Sequence, residues 1–285
     1  FFVKMAAKII DGKRIAQKLR EDIKKRAEKL KSKPGLAVVL VGDNPASHVY
    51  VGMKEKACKK EGIYSEKYIL DESTPEDKLL ELVDKLNQDK KIHGILVQLP
   101  LPKHIDESLI IDSILPHKDV DGFSPLNMGN LLIGKNMLVP ATPKGVLKLI
   151  ESAGIDINGK HAVVIGRSNI VGKPISLLLQ QKNATVTMCH SKSRPLDYYT
   201  KQADILVVAA GKPKMIKKEH VKEGAVVIDV GTHKIDGKLC GDVDFDSVKE
   251  AASFITPSPG GVGPMTIACL LENTLECYNL CQKLF

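Results

Sequence analysis

His161-Ala162-Val163-Val164-Ile165-Gly166-Arg167-Ser168-Asn169-Ile170-Val171-Gly172-Lys173-Pro174 is the stretch on which the fold turns. An apolar strand runs straight into a glycine turn, and an apolar helix follows with Ile175, Leu177, Leu178 and Leu179. In that order the three parts make a pyrophosphate site. The glycines let the backbone approach closely, and the helix end offers free N–H groups with partial positive charge. The spacing departs from Gly-x-Gly-x-x-Gly, because Ser168 takes the second glycine position and the next glycine is Gly172. An ordinary tight turn between strand and helix explains the same pattern, so the next strand matters. A NAD site usually ends that strand with a carboxylate for the ribose hydroxyls. Here the strand ends Cys189-His190-Ser191-Lys192-Ser193-Arg194, with no carboxylate. Basic and hydroxyl groups welcome a 2′-phosphate, and Arg167 on the preceding turn can reach the same place. NADP is therefore preferred over NAD. Gly211 and Gly231 close later strands, where glycine lets the backbone lie along a flat ligand.

Outward from this stretch, strands and helices alternate along the chain. Strands are predicted at 161–165, 185–188, 205–209 and 225–230. In the first half, Ile15, Leu19, Ile23, Ala27 and Leu30 mark an amphipathic helix over 11–32, stopped by Pro34-Gly35. Leu36 to Val41 reads as a strand apolar on both faces. A helix over 45–61, a strand over 63–70, a helix opened by Thr74-Pro75-Glu76 and a strand at 95–97 complete the half. Such alternation predicts parallel sheets with right-handed crossovers. With 285 residues, the fold class is α/β with two α/β domains, the second Rossmann-like, and an active-site cleft between them. The boundary is drawn near a helix at 143–153: residues 1–142 form one domain, completed by a C-terminal helix over 265–285, and 143–264 form the nucleotide-binding domain.

Composition narrows the ligand. There are 42 Lys and Arg against 34 Asp and Glu, a formal charge of +8, so the surface attracts anions. Aromatic residues are 4% and tryptophan is absent, and the lysines spread over helix faces, which argues against a nucleic-acid partner. No apolar run approaches the ~20 residues of a membrane helix. Phe1 to Met5 is too short for a signal-peptide core. Met5 is a candidate start, with Phe1 to Lys4 either an addition or native. The six cysteines include no Cys-x-x-Cys pair and read as reduced thiols in a cytoplasmic protein. No His-Glu-x-x-His motif occurs and no metal site is expected.

A second constellation lies in the first half. Ser47, Tyr50 and Lys54 project from one face of the 45–61 helix. A tyrosine and a lysine aimed into a cleft can bind an aromatic ring and move a proton. Gln98 ends a buried strand, and Asp121 follows in Asp119-Val120-Asp121-Gly122-Phe123. Strand ends and the loops after them are where open α/β sheets build sites.

With these segments together, the chain closely resembles the bifunctional methylenetetrahydrofolate dehydrogenase/cyclohydrolase family. The matching stretches are Ser47-x-x-Tyr50-Val51-x-x-Lys54, Gln98-Leu99-Pro100-Leu101-Pro102, Asp119 to Phe123, Gly166-Arg167-Ser168-x-Ile170-Val171-Gly172-x-Pro174 and Pro259-Gly260-Gly261-Val262-Gly263-Pro264-Met265-Thr266. They follow the family's order across nearly the whole chain. The resemblance implies NADP-dependent oxidation of 5,10-methylene-tetrahydrofolate to the methenyl cation, then hydrolysis to 10-formyl-tetrahydrofolate, within one-carbon metabolism and purine biosynthesis. It implies that Lys54 promotes the proton transfers and that Gln98 orients it. Tyr50 would flank the aminobenzoate ring, Asp121 would accept hydrogen bonds from the pterin, and Ser47 would hold the pocket network. Pro259, Gly260, Gly261, Val262 and Thr266 would border folate. Arg167, Ser168, His190 and Ser191 map onto cofactor positions, with Gly166, Ile170 and Gly172 in the same turn and Gly211, Gly231 and Thr232 at later strand ends. A homodimer is implied as well.

Two departures stand out. Ala141 occupies a position where many relatives have Cys, and Thr232-His233 lies where relatives vary. The alternatives are a monofunctional dehydrogenase with weak cyclohydrolase activity, a dehydrogenase for another acid, and a basic nucleic-acid-binding protein. Intact Tyr50, Lys54, Gln98 and Asp121 argue against the first.

Overall fold

The computed structural model describes residues 6–284. Met5 as a start, with Phe1 to Lys4 before it, falls outside the described residues. In chain order the elements are β1 (Lys8–Ile9), α1 (Gly12–Ala27), β2 (Gly35–Val41), α2 (Pro45–Lys60), β3 (Tyr64–Leu70), α3 (Glu76–Gln88), β4 (Gly94–Val97), α4 (Glu107–Ser113) and α5 (Pro125–Leu132). There follow α6 (Ala141–Ser152), β5 (His161–Ile165), α7 (Gly172–Gln181), β6 (Thr185–Cys189), α8 (Leu196–Thr200), β7 (Ile205–Val208) and β8 (Val226–Asp229). Last come β9 (His233–Ile235), β10 (Lys238–Cys240), α9 (Phe245–Val248), β11 (Phe254–Ile255) and α10 (Val262–Leu284). No helix among the described residues is long and apolar enough to cross a membrane.

The chain divides into two units, with the breaks falling inside α1, at the start of α6 and near the start of α10. One comprises Lys18–Ala141 with the chain from Ile267 onward. Its sheet has the order β3-β2-β4, all parallel. Every residue of β2 is buried, as its unbroken apolar run requires of a central parallel strand. The chain leaves β2 for β3 on one side and returns to β4 on the other, so a switch point lies at the carboxyl ends of β2 and β4. The Gln98 N–H donates there to Val39 O at 2.8 Å. Helix α1 ends at Ala27 rather than near 32. Beyond it Lys29 and Leu30 donate to Arg26 O and Ala27 O, three residues back, and the tightened turn closes the helix.

The other unit comprises the chain up to Gln17 and Thr142–Thr266. Its six-stranded sheet has the order β1-β11-β8-β7-β5-β6, all parallel. The chain passes from β5 to β6 and then returns to β7 on the opposite side of β5, which makes the β5/β7 ends a switch point. Two features differ from the sequence reading. β1 pairs with β11 (Lys8 opposite Phe254, Ile9 opposite Ile255), so the chain up to Gln17 joins this unit rather than the 1–142 segment. Two-residue strands carry no period by which a sequence could reveal them. β9 and β10 form an antiparallel hairpin, turned at Asp236 (φ 48°) and Gly237 (φ 78°), the left-handed pair that tight hairpins demand.

Candidate active site

The first cluster lies wholly in the unit built on β2. Asn44 caps α2 by accepting from the N–H groups of Ala46 (3.0 Å) and Ser47 (3.3 Å), and Pro45 opens the helix. That start sets the helix phase. Its buried positions are Ser47, Val51, Lys54, Ala57 and Cys58. Lys54 therefore occupies a core-facing position that an apolar residue would ordinarily fill, and only 9% of it is exposed. Burial lowers its pKa against an opposing pull from the Asp121 carboxylate and a smaller one from Cys58. Its Nζ donates to Gln98 Oε1 at 2.9 Å, and Gln98 Nε2 donates to Leu99 O at 2.7 Å, which orients the amide. Asp121 is half-buried. Burial pushes its pKa up from 3.8 to about 6, the Lys54 ammonium opposes that, and the Asp119 charge adds to it. Tyr50 is 37% exposed and Ser47 is buried.

Sequence reasoning did not single out what holds Asp121. Asp119 accepts from Gly122 N (2.9 Å), Ser124 N (2.7 Å) and Asn127 Nδ2 (2.9 Å), folding the loop on itself. Asn273, fully buried on α10, donates through Nδ2 to Val120 O and Val139 O, each at 2.8 Å. An asparagine inside the apolar run of α10 was the available signal, since a buried amide must find partners.

The second cluster lies wholly in the other unit, at the β5/β7 switch point. Gly166 has φ +126°, and a Cβ there would stand 2.3 Å from Ala209 O. A Cβ on Gly172 would stand 2.2 Å from Gly166 O. Both glycines are thus required by backbone packing within the turn. Ser168 Oγ accepts from Val171 N (3.2 Å) and Gly172 N (3.3 Å) at the start of α7, so a hydroxyl stands where the Gly-x-Gly-x-x-Gly pattern would have glycine. Arg167, Ser168 and Ile170 are exposed. After β6, His190 N donates to Ser193 Oγ (3.0 Å), and His190 Nδ1 accepts from Lys192 N (3.1 Å). Ser191, Lys192 and Arg194 face solvent. A turn closed to side chains, a helix start and this carboxylate-free, basic strand end fit a phosphate-bearing dinucleotide.

Two glycine positions are also required by the chain's own packing. Gly231 is not free to line a flat ligand for want of a side chain alone: its Cβ would stand 2.4 Å from Asp242 Cγ. In the loop before α10, a Cβ on Gly261 would stand 2.6 Å from Pro257 O, and one on Gly12 2.0 Å from Gly261 O. Gly260 O also accepts from Lys13 N at 3.0 Å. This loop is packed against the chain's own start, which Pro259, Gly260 and Gly261 accommodate, and Thr266 Oγ1 meets Thr142 Oγ1 at 3.0 Å. Gly211 (φ +67°) has open space around it, and Thr232 is exposed. Among the described residues no group of three or more His, Cys, Asp or Glu could hold a metal.

A doubly wound sheet with a phosphate turn at its switch point, and a second parallel sheet whose switch point carries a buried lysine hydrogen-bonded to a side-chain amide, define a nucleotide-dependent α/β enzyme. Comparison with known proteins is specific. Residues 10–121 match the tetrahydrofolate dehydrogenase/cyclohydrolase catalytic domain, and residues 140–282 match its NAD(P)-binding domain. The chain belongs to the tetrahydrofolate dehydrogenase/cyclohydrolase family, and it is a bifunctional enzyme with both activities. It is 56% identical over 275 residues to the bifunctional protein FolD of Halalkalibacterium halodurans, covering 95% of this chain and 99% of the relative. Among solved structures, the bifunctional FolD enzyme of Campylobacter jejuni superposes with a TM-score of 0.94 at 50% identity, over 96% of this chain and 100% of that one. The Trypanosoma brucei enzyme, solved with NADP and an inhibitor, gives 0.92 at 38% identity, over 97% and 98%.

Proposed function

We propose that this enzyme oxidises 5,10-methylene-tetrahydrofolate with NADP and hydrolyses the methenyl product to 10-formyl-tetrahydrofolate, with Lys54 as the group that moves protons. The observation that carries the role of Lys54 is a buried amino group hydrogen-bonded to Gln98 and influenced by the opposite charge of Asp121. Burial favours the neutral amine, and a cationic substrate nearby disfavours the ammonium further. A neutral amine can take a proton from water as the water adds to the methenyl carbon. Lys54 then returns that proton to N5 as the C–N5 bond breaks. The second water proton leaves as the formyl carbonyl forms, so one proton is released overall. Gln98 keeps Nζ aimed throughout. Asp121, ionised above about pH 6, accepts from the pterin amino and ring N–H groups. Tyr50 flanks the aminobenzoate ring, Ser47 supports the pocket, and Pro259, Gly260, Gly261, Val262 and Thr266 border folate.

Bound NADP supplies the hydride acceptor for the oxidation. Gly166, Ser168, Ile170 and Gly172 would hold its pyrophosphate at the start of α7. Arg167, His190 and Ser191 would take the 2′-phosphate end, with Gly211, Gly231 and Thr232 along the remaining strand ends. The preference for NADP over NAD is supported by the missing carboxylate after β6 and by its exposed Lys192 and Arg194. The reading extends to a homodimer in the cytoplasm with no nucleic-acid partner, supported by the likeness to the family and by the scatter of the six cysteines, which include no Cys-x-x-Cys pair.

A paired assay tests the reading. Methylene-tetrahydrofolate is supplied with NADP or NAD, and formation and decay of the methenyl absorbance are followed. Formation with NADP and enzyme-dependent decay are expected. Formation without enzyme-dependent decay would favour a monofunctional dehydrogenase.

A further inference from the structure

We propose that Asp242 is a positioning residue for the dinucleotide, fixing the ends of β7 and β8 through a buried carboxylate cluster with Asp229 and His233. The proposal rests on the reading above that those strand ends receive NADP. Asp242 is fully buried and Asp229 is 3% exposed. Asp242 Oδ2 accepts from Ala210 N (2.7 Å) and Gly211 N (3.0 Å), just past the end of β7. Its Oδ1 lies 2.6 Å from His233 Nε2. A carboxylate offers only acceptors, so Nε2 carries the proton in this contact. Asp229 Oδ1 accepts from Gly231 N and Asp242 N, and its Oδ2 from Val243 N, each at 3.0 Å.

The consequence is geometric. Thr232 is exposed and placed on the cofactor side by the functional reading. It is bracketed by Gly231, whose N–H is held by Asp229, and His233, whose ring is held by Asp242. Ser258 Oγ adds a bond to Gly231 O at 2.9 Å. Gly211, the other strand-end position, is tied to the same Asp242 oxygen as Ala210. One side chain thus sets the spacing of two loops, and the glycines make room for it. A Cβ on Gly231 would stand 2.4 Å from Asp242 Cγ, and one on Gly241 1.8 Å from Asp229 Oδ2. The N–H groups of Ala210, Gly211 and Gly231 face inward onto carboxylates. What these loops offer a ligand is therefore their shape, their carbonyls and the Thr232 side chain. Asp229 and Asp242 are buried and act through the backbone they hold.

The test uses the full chain and reads NADP Kd by calorimetry, KM for NADP, melting temperature, and hydrolysis of methenyl-tetrahydrofolate without NADP. Asp242→Asn keeps the size but removes one acceptor. It should raise Kd and KM for NADP about ten-fold, the scale on which small misplacements act, while hydrolysis stays within about two-fold of wild type. His233→Ala should raise Kd about three-fold, and His233→Gln, which keeps an N–H donor, should restore it. An unchanged NADP Kd in Asp242→Asn overturns the proposal, as does a proportionate loss of NADP binding and hydrolysis, which marks a merely structural role. If Asp242→Asn does not fold, the two His233 variants decide: equal Kd in both and in wild type refutes positioning. A wild-type chain that binds NADP but turns over no folate would overturn the functional reading instead, and the Kd comparison would still decide this one.

Discussion

Replacing Lys54 by methionine separates chemistry from folding more sharply than any other single change. Methionine is close to lysine in length and carries no charge, so it can lie on the same buried face of α2. What disappears is the proton carrier. Positioned acid–base groups contribute about 10²–10⁴-fold, or roughly 3–5 kcal/mol of transition-state stabilisation. Hydrolysis of methenyl-tetrahydrofolate should fall by that factor. The fold faces opposing changes. Gln98 Oε1 loses a donor at 2.9 Å, and a buried acceptor left unpaired costs about 1–3 kcal/mol. Asp121 loses its counter-charge, which pushes its pKa beyond about 6 and toward the neutral acid. Against this, an ammonium no longer has to be buried, a relief of the same order. A net change within about 1 kcal/mol corresponds to a melting shift of ~2–4 °C for a protein of this size. The assays are methenyl decay, a thermal melt and NADP calorimetry on the same preparation. Hydrolysis within about ten-fold of wild type would refute the proton-carrier role. Loss of hydrolysis together with NADP binding and a collapse of the melt would make Lys54 a structural residue.

Three further outcomes are expected. Asp121 carries a pKa raised from 3.8 to about 6, so the folded chain holds a proton that the unfolded chain releases between those values. Its contribution to stability is full below about pH 4 and is lost as pH rises through about 6. Substrate binding runs the other way: KM for methylene-tetrahydrofolate should rise as pH falls through about 6, and Asp121→Asn should flatten that dependence, whereas an unchanged profile in the variant would remove Asp121 from the pterin site. Arg167→Ala should weaken NADP more than NAD in binding titrations, because it deletes a partner for the extra phosphate, and equal losses would refute that contact. Sedimentation should report a dimer, and a monomer independent of concentration would contradict the expected assembly.

Much of the fold was legible because parallel strands buried on both faces leave unbroken apolar runs, as at Leu36 to Val41 and Val163 to Ile165. The Lys54 cluster was legible for a different reason: Ser47, Tyr50 and Lys54 share a helical period, and Gln98 and Asp121 stand at strand ends. β1 and β11 were not legible, since two residues have no period and the two strands lie 246 positions apart in the register of Lys8 with Phe254. The hairpin at Asp236-Gly237 could have been read from its turn dipeptide alone. Glycines were the least transparent. Gly166 and Gly172 do mark close backbone approach, but to Ala209 and to each other. Gly231 and Gly261 make room for Asp242 and Pro257. A glycine in a sequence announces that something comes near without saying whether it is ligand or chain.

The same ambiguity attaches to buried charge, and the two clusters show how geometry resolves it. Lys54 meets a side-chain amide and lies in the field of a carboxylate of opposite sign, and its burial shifts it toward the form that can accept a proton. Its partners are side chains at the mouth of a switch point, so a substrate can enter the same network and exchange hydrogen bonds with it. Asp229 and Asp242 are of like sign, and together they accept from five backbone N–H groups and one imidazole. A carboxylate has about four lone-pair positions, so each has three of them committed. Burial raises Asp229 to about 6, yet the raised value does not make it a base. Its oxygens are buried and mostly committed to backbone donors, so a ligand has little access to them. Burial alone ranks Lys54 and Asp229 alike, as charged residues withdrawn from solvent. The identity of the donors and acceptors around them is what separates a group that reacts from a group that holds the chain in place.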